Sequence, residues 1–404
     1  MRPKTDALPP LSGASNRALV FEQILLKQPV SRAELARLTG LSKVACSSIV
    51  ASFLEKGWLL EKGTGDSLGG RRPVLLEQNP FAALALGVDL APDDIGLLAT
   101  DLAGRPLLRE RHLPMPKRKD DVLPLLQQAI EDLLASIPPH QPVQPLLRHE
   151  AGLPIAGLGI AVHGHVQEQE IIFAPYSPIA HVPIAKKLKA HFGFPIYLAN
   201  EANLVALAEL AVGQQADRLL ALSIHSGIGA GLLYGGQIEM GSHGLAGEVG
   251  HMILYPGGRS CPCGNAGCVE QYISERALLS DWQAEATSNA AWSKLVEGFQ
   301  RRDPATAAIR QQFINGMAVL VNNLQRNMDP DQIVINSQLV SSCPELLDEI
   351  RHSSAVKQDP QLQLSASALG EPARLLGAIA LVLQQFYQIQ KPLFDKSLRL
   401  DRMP

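Results

Sequence analysis

The stretch from Gly247 to Tyr272 reads GEVGHMILYPGGRSCPCGNAGCVEQY and holds three of the chain's five cysteines. Cys261, Cys263 and Cys268 crowd into eight residues punctuated by glycine and proline, with His251 ten residues before the first of them. A tight, glycine-rich turn can bring several thiolates to one tetrahedral ion, and a neutral imidazole completes the four nitrogen and sulfur ligands that structural zinc prefers. His251, Cys261, Cys263 and Cys268 are therefore the candidate ligands of a structural Zn2+. The alternative is a loop with incidental thiols or a disulfide. Cys261 and Cys263, with only Pro262 between them, cannot easily bridge to each other, and nothing in the composition points to secretion. The spacing His-x9-Cys-x-Cys-x4-Cys is neither a finger nor a ribbon, both of which use two well-separated pairs.

Around this stretch lies a chain of 404 residues, 46% apolar and 19% charged, enough to bury a substantial core in two or three domains. Cys46 and Cys343 stand alone, as expected of a reducing compartment. The opening MRPKTDALPPLSG has no apolar signal-like segment, and no later apolar run approaches the roughly 20 residues needed to span a bilayer. The expected location is the cytoplasm, without membrane insertion. The net charge of -3 divides unevenly: residues 1 to 72 hold 11 Lys and Arg against 6 Asp and Glu, leaving 25 against 33 for the rest. A basic front end on an acidic body suits a nucleic-acid-binding module fused to a ligand-binding body.

That front end reads as three helices. Asn16 to Lys27 has apolar residues at helical spacing and stops before Pro29. Ser31, with Glu34 in capping-box position, starts a second helix, Gly40 turns the chain, and Ser42 caps a third that runs to about Lys56. A short helix, a glycine turn and a longer helix is helix-turn-helix spacing. Lys43, Ser47 and Ser48 are the candidate contacts to base edges or phosphates of an operator duplex. Trp58 to Leu60 and Pro73 to Glu77 read as two short strands around a polar tip, a winged variant, in which Arg71 and Arg72 could enter a minor groove.

From about Phe81 the pattern is α/β. A strand through Leu90, a turn at Ala91 to Asp94 and a second strand to Leu102 form a hairpin. Val122 to Ser136 is an amphipathic helix and Leu158 to Val162 a buried strand. A helix runs from Glu201 through Leu210, and Glu201 suits its first turn whatever else it does. Ser226 to Gly236 reads as a glycine-rich turn between strands. Glu275 to Glu285, Asp303 to Asn327 and Ala373 to Tyr387 are further helices, and the residues from about Lys391 look like a loose tail or terminal helix. No internal repeat is evident.

With Glu248 three residues before His251 and Glu270 two after Cys268, the opening stretch resembles the signature of the ROK family, which joins bacterial sugar kinases to sugar-responsive transcriptional regulators. The resemblance covers about residues 12 to 387. It implies a two-lobed, actin-like (ribonuclease-H-like) ATPase fold behind the winged helix-turn-helix that the regulators carry and the kinases lack. The implied division is a DNA-binding domain and linker over 1–80, a first α/β lobe over 81–199 with the C-terminal helix about 373–404, and a second lobe over 200–372 holding the zinc site and an oligomerisation surface. In this likeness Asn200, Glu201, Glu248, His251 and Glu270 face a sugar, whose hydroxyls suit carboxylate and imidazole acceptors.

The departures from the kinases are specific. Their phosphate loop of the Asp-x-Gly-Gly-Thr type is replaced by Asp89-Leu90-Ala91-Pro92-Asp93-Asp94, which loses the glycines and adds two carboxylates. Their catalytic Asn-Asp pair appears as Asn200-Glu201, whose extra methylene displaces the carboxylate. Their Gly-Gly beside adenine is Asn336-Ser337, and the sugar-side Pro-Gly is His163-Gly164. The expectation is a repressor without catalytic residues, a homodimer or homotetramer on double-stranded operator DNA, controlled by a sugar or sugar phosphate. The rival readings are an ATP-dependent sugar kinase and a repressor controlled by a protein of sugar transport.

Overall fold

The computed structural model describes residues 16–65, 72–108, 110–137, 154–214, 216–282, 289–353 and 362–394. The leader and Arg71 lie outside the described residues. Helix α1 (Asn16–Lys27), strand β1 (Val30–Ser31), helices α2 (Arg32–Thr39) and α3 (Lys43–Glu55), and strands β2 (Leu59–Thr64) and β3 (Val74–Gln78) form the N-terminal unit. The local signals act where they were read: the Ser31 side chain accepts from the Glu34 amide, and Ser42 accepts from Ala45. Gly40 takes the left-handed φ of 70° that ends α2. The wing is a three-stranded sheet ordered β1-β3-β2, one strand more than the sequence suggests.

The body contains two five-stranded sheets. The first comprises β4 (Leu84–Leu90), β5 (Asp94–Asp101), β6 (Arg111–Pro114), β7 (Ile155–Val162) and β10 (Ile196–Asn200); helix α4 (Lys119–Ser136), the hairpin β8 (His165–Gln167) and β9 (Glu170–Phe173), and α5 (Ile184–Phe192) are interposed in the chain. Helix α6 (Glu201–Ala211) leads to the second sheet of β11 (Arg218–Ile224), β12 (Ile228–Tyr234), β13 (Gln237–Ile238), β14 (Gln332–Asn336) and β15 (Gln363–Ala366). Around it lie α7 (Glu270–Ile273), α8 (Glu275–Asp281), α9 (Asn289–Arg301), α10 (Ala307–Met328), α11 (Gln338–Ser342) and α12 (Glu345–Ser353), and α13 (Ala373–Tyr387) closes the fold. The sheet orders are β6-β5-β4-β7-β10 and β13-β12-β11-β14-β15. Counted by chain order within each sheet, both read 3-2-1-4-5, and in both the second strand alone runs against the rest. The structure thus has an internal repeat where the sequence shows none, because sheet order survives replacement of every side chain that keeps the burial pattern. This duplicated order is the actin-like arrangement. Among the described residues no helix is long and apolar enough to cross a membrane.

Helices α6 and α13 lie between the sheets and share one apolar core with the N-terminal unit. Their contact is backbone-close: a side chain at Gly377 would fall 1.9 Å from the Leu204 carbonyl oxygen. The same demand corrects the reading of Ser226 to Gly236. Most of it is strand β12, paired along its length with β11, and its glycines clear space for α6, a Cβ at Gly231 falling 2.3 Å from the Ala202 carbonyl oxygen. The residues after Lys391 also differ from a loose tail as far as Phe394, which is buried against Gly104 and donates its amide to Ala211.

Glu209, in the last turn of α6, is 1% exposed, and burial raises its carboxyl pKa although the Ser367 hydroxyl donates to it. An acid whose pKa is raised on folding adds most to stability below its unfolded value and loses that as pH rises through the folded one. Glu209→Gln should therefore stabilise the protein at pH 8 and lose the advantage by about pH 4, in the unfolded glutamate range. Urea unfolding at both pH values checks this; an advantage that grew on acidification would be the wrong sign.

Candidate functional site

The interlobe cleft is built where strands end and helices begin. Asn200 closes β10 and caps α6: its Oδ1 accepts from the Ala202 amide at 2.9 Å and its Nδ2 donates to the Gly164 carbonyl at 3.0 Å. Most of its hydrogen-bonding capacity thus ties the helix to the His163-Gly164 loop. Glu201, 8% exposed, accepts from the Ser223 hydroxyl on β11 at 2.9 Å. From the cysteine-bearing loop, Glu248 caps a short 3-10 turn that ends at His251, and Glu270 begins α7.

All five residues expected to face a sugar, Asn200, Glu201, Glu248, His251 and Glu270, line one cavity. The structure adds residues that the sequence reading missed. Asn203, one helical turn beyond Asn200, lines the same cavity at 4% exposure with its Oδ1 unpartnered. The three-residue interval Asn200 to Asn203 on one helix face was the available signal. Tyr176 donates to Glu270 Oε1 at 2.9 Å and accepts from Arg276 at 2.8 Å, while Glu270 Oε2 accepts from the Ile228 amide at 3.3 Å. His165 also lines the cavity, its Nδ1 without a partner.

Three carboxylates therefore face a cavity whose described lining contains no lysine or arginine. Burial raises the pKa of Glu248; Glu270 and Glu201 add to the shift, and His251 and His165 oppose it. Burial, reinforced by Glu270, pushes the Tyr176 hydroxyl up to about 12, so it remains a donor. Such a lining offers acceptors to a neutral polyol and repels an anion.

On the far side of Pro92, Tyr176 and Ser226 an adjoining chamber of about 500 Å3 is lined by Asp93, Glu275 and Glu371 with Arg276, Trp292 and Gln338. Asp93 supplies one of the two carboxylates expected to repel phosphate. Asp94 does not join it, because it pairs with His112 instead. Asp89 is the more telling residue: it is 5% exposed and held by Arg374 Nε at 2.6 Å and His163 Nε2 at 2.9 Å. Burial opposes its ionisation, but Arg374 and His163 outweigh that and hold the carboxyl well below the usual range. The imidazole of His163 thus has a definite partner. Asn336 is likewise filled in, its Oδ1 accepting from His225 Nε2 at 2.7 Å and its Nδ2 donating to the Gly370 carbonyl at 2.8 Å.

The candidate metal ligands converge. One ligand atom from each of His251, Cys261, Cys263 and Cys268 lies within 4.8 Å of all the others. Cys263 and Cys268 sulfurs stand 3.7 Å apart, and the Cys261 sulfur stands 3.5 Å from His251 Nδ1. The edge of a tetrahedron with about 2.3 Å zinc–sulfur bonds is about 3.8 Å, so the donor set fits such an ion. The remaining nitrogen of His251, Nε2, lies 3.7 Å from Glu248. This reconciles the two roles expected of His251: one ring nitrogen faces the thiols and the other faces the cavity, and a metal on Nδ1 would fix the proton on Nε2.

Lys43, Ser47 and Ser48 are exposed on α3, and Arg72 is exposed at the wing. On the opposite side of the N-terminal unit, Phe21 stacks on Tyr387 at 4.3 Å between ring centroids, and Trp58 packs on Phe386 and Tyr387 at 5.4 and 6.0 Å. Gln78 donates to the Tyr387 hydroxyl at 2.8 Å. Helix α13 therefore touches the N-terminal unit with its last turn, while Arg374 in its first turn grips Asp89 in the cleft.

Comparison with known proteins agrees with this anatomy. The ROK family model matches residues 85–385. The xylose repressor of Bacillus spizizenii is 30% identical over 383 residues, which cover 93% of this chain and 97% of that protein. Among solved structures, a ROK family transcriptional regulator homologous to the E. coli MLC protein superimposes with a TM-score of 0.75 at 24% identity, over 92% of this chain and 96% of its own. A ROK family glucokinase from Streptomyces griseus, in complex with glucose and AMPPNP, superimposes with a TM-score of 0.62 at 24% identity, over 74% of this chain and 99% of its own.

Proposed function

The chain belongs to the ROK family, and on that premise we propose that it is a sugar-responsive transcriptional repressor, acting by binding rather than by catalysis. The observation that carries this reading is helix α13, 15 residues and about 22 Å long, whose Arg374 is tied through Asp89 to the cavity-lining His163 and whose last turn packs on the winged helix-turn-helix. The division into a DNA-binding domain over 1–80 and two lobes meeting at α6 and α13 follows from the same reading. Two copies of the chain bring two helix-turn-helix units to half-sites about one helical turn apart. Lys43, Ser47, Ser48, Arg71 and Arg72 contact the duplex. Lys43→Ala or Arg72→Ala should weaken binding about equally on all sequences and lower the salt slope by about one. Binding isotherms from about 50 to 200 mM salt check this, and an unchanged slope would remove the residue from the interface.

The effector is a neutral, unphosphorylated sugar held by Asn203, Glu248, His251 and Glu270, with Asn200 and Glu201 shaping the cavity floor. Three carboxylates and no lining cation support the absence of phosphate. Xylose is the first candidate, since several relatives are named xylose repressors. The metal is zinc in a structural role, held by His251, Cys261, Cys263 and Cys268, and it supplies a fixed charge that orients the His251 ring. Kinase action is disfavoured by the Arg374–Asp89 pair, the acidic second chamber and the hydrogen bond that ties Glu201 to Ser223. Calorimetric titration with xylose, glucose and their phosphates tests the reading. A neutral sugar should bind, and Glu248→Gln should weaken it at least tenfold by removing a charge-assisted bond. Tighter binding of a sugar phosphate, or turnover of ATP with any sugar, would contradict it.

A further inference from the structure

Helix α3 buries Cys46, Val50 and Phe53, so its opposite face, one helical turn apart at each step, is Val44, Ser48 and Ala51. Val44 is 81% exposed, the most exposed large apolar side chain among the described residues. It touches none of the apolar core, and valine is a poor helix former, so neither packing nor propensity accounts for it at the second position of the helix. Exposed Lys43 and Ser47 flank it, and Lys43 has no ion-pair partner among the described residues. The face carries no arginine, asparagine or glutamine, the side chains that read purine edges bidentately in the major groove. What remains is a methyl-bearing side chain between two hydroxyls. The chemical counterpart of that set in a major groove is thymine, which alone among the four bases presents a 5-methyl group there. Glu55, at the other end of the face, would be repelled by phosphates and marks where the groove contact stops.

We propose that Val44 is a specificity-determining residue that packs on thymine 5-methyl groups, making α3 an apolar reader of T-rich half-sites. This rests on the DNA-binding reading above. Removing one methyl from each contact costs about fourfold in affinity, and about fifteenfold when both half-sites of a symmetric site lose it.

The experiment selects bound sequences from a random-sequence duplex library with the full-length protein. It then replaces each thymine of the selected site by deoxyuridine, which removes the methyl and nothing else. With thymines replaced singly, one position in each half-site should cost wild type about fourfold, and about fifteenfold when both are replaced together. Val44→Ala should stay folded, since the side chain is exposed, and should bind the thymine and uracil forms of that position equally, while Ser47→Ala keeps the discrimination. Wild type that binds a selected site yet ignores uracil at every thymine overturns the inference, as does a Val44→Ala protein that still discriminates. A library from which nothing is enriched would sink the DNA-binding reading itself, a different and recognisable result.

Discussion

Cys268→Ser should release the metal, lower the unfolding midpoint by about 10 °C and weaken sugar binding more than tenfold. Cys268 is fully buried, and its backbone bridges Ile253 two residues before Glu270 enters the cavity. Serine is a poor ligand for an ion held by thiolates, and a donor set reduced to His251, Cys261 and Cys263 holds the loop less well. Metal binding is coupled to folding and supplies about 10–16 kcal/mol in isolated zinc peptides. In a loop already anchored at both ends only a part of that remains, and about 3 kcal/mol corresponds to about 10 °C in a domain of 150–250 residues. The sugar effect is the sharper one, because His251 and Glu270 lose the fixed loop that aims them. Metal content by mass spectrometry, a thermal scan and calorimetry read the three quantities. A variant without metal that kept its midpoint and its sugar affinity would show that the cluster does not organise the cavity.

Arg374→Met should be the most damaging single change outside the metal loop. It leaves the Asp89 carboxylate buried with only His163 beside it, and breaking a buried pair from one side costs about 3–5 kcal/mol. Asp89→Asn combined with Arg374→Met removes both charges and should recover most of the loss. The double variant also separates stability from communication, for Arg374 is where α13 is attached to the cleft. It should bind operator and sugar as separate ligands, yet sugar should no longer change operator affinity, a coupling typically worth about 1–3 kcal/mol. Denaturant unfolding reads the first effect, and operator binding with and without sugar reads the second. Normal sugar release in the double variant would move the communication route off α13.

The parts of this molecule legible in its sequence are those set by neighbours along the chain. Ser31, Gly40 and Ser42 act on amides three residues away or on their own φ, so α2 and α3 begin and end where the caps say. The metal ligands lie within eighteen residues of one another, and two of the three cavity carboxylates, Glu248 and Glu270, ride on the same stretch. What the sequence hides depends on distant partners. Asp89 and Arg374 are 285 residues apart, and nothing local in either announces the pair. The glycines of β12 read as a turn because glycine answers equally to a positive φ and to a neighbouring helix; only the position of α6 decides between them. Val44 reads as an ordinary apolar helix residue until its side of α3 is known to face away from the core.

The most direct test of the central claim is capture and sequencing of genomic fragments bound by the purified full-length protein, at one fixed salt concentration, with and without xylose and a panel of other neutral sugars. Phosphate contacts make such affinities steeply salt-dependent, so the salt must not vary between arms. The expected result is a small set of palindromic sites, depleted by one neutral sugar for wild type and left undepleted for Glu248→Gln. Enrichment indifferent to every sugar, or no enrichment under any condition, would contradict a repressor controlled from this cleft.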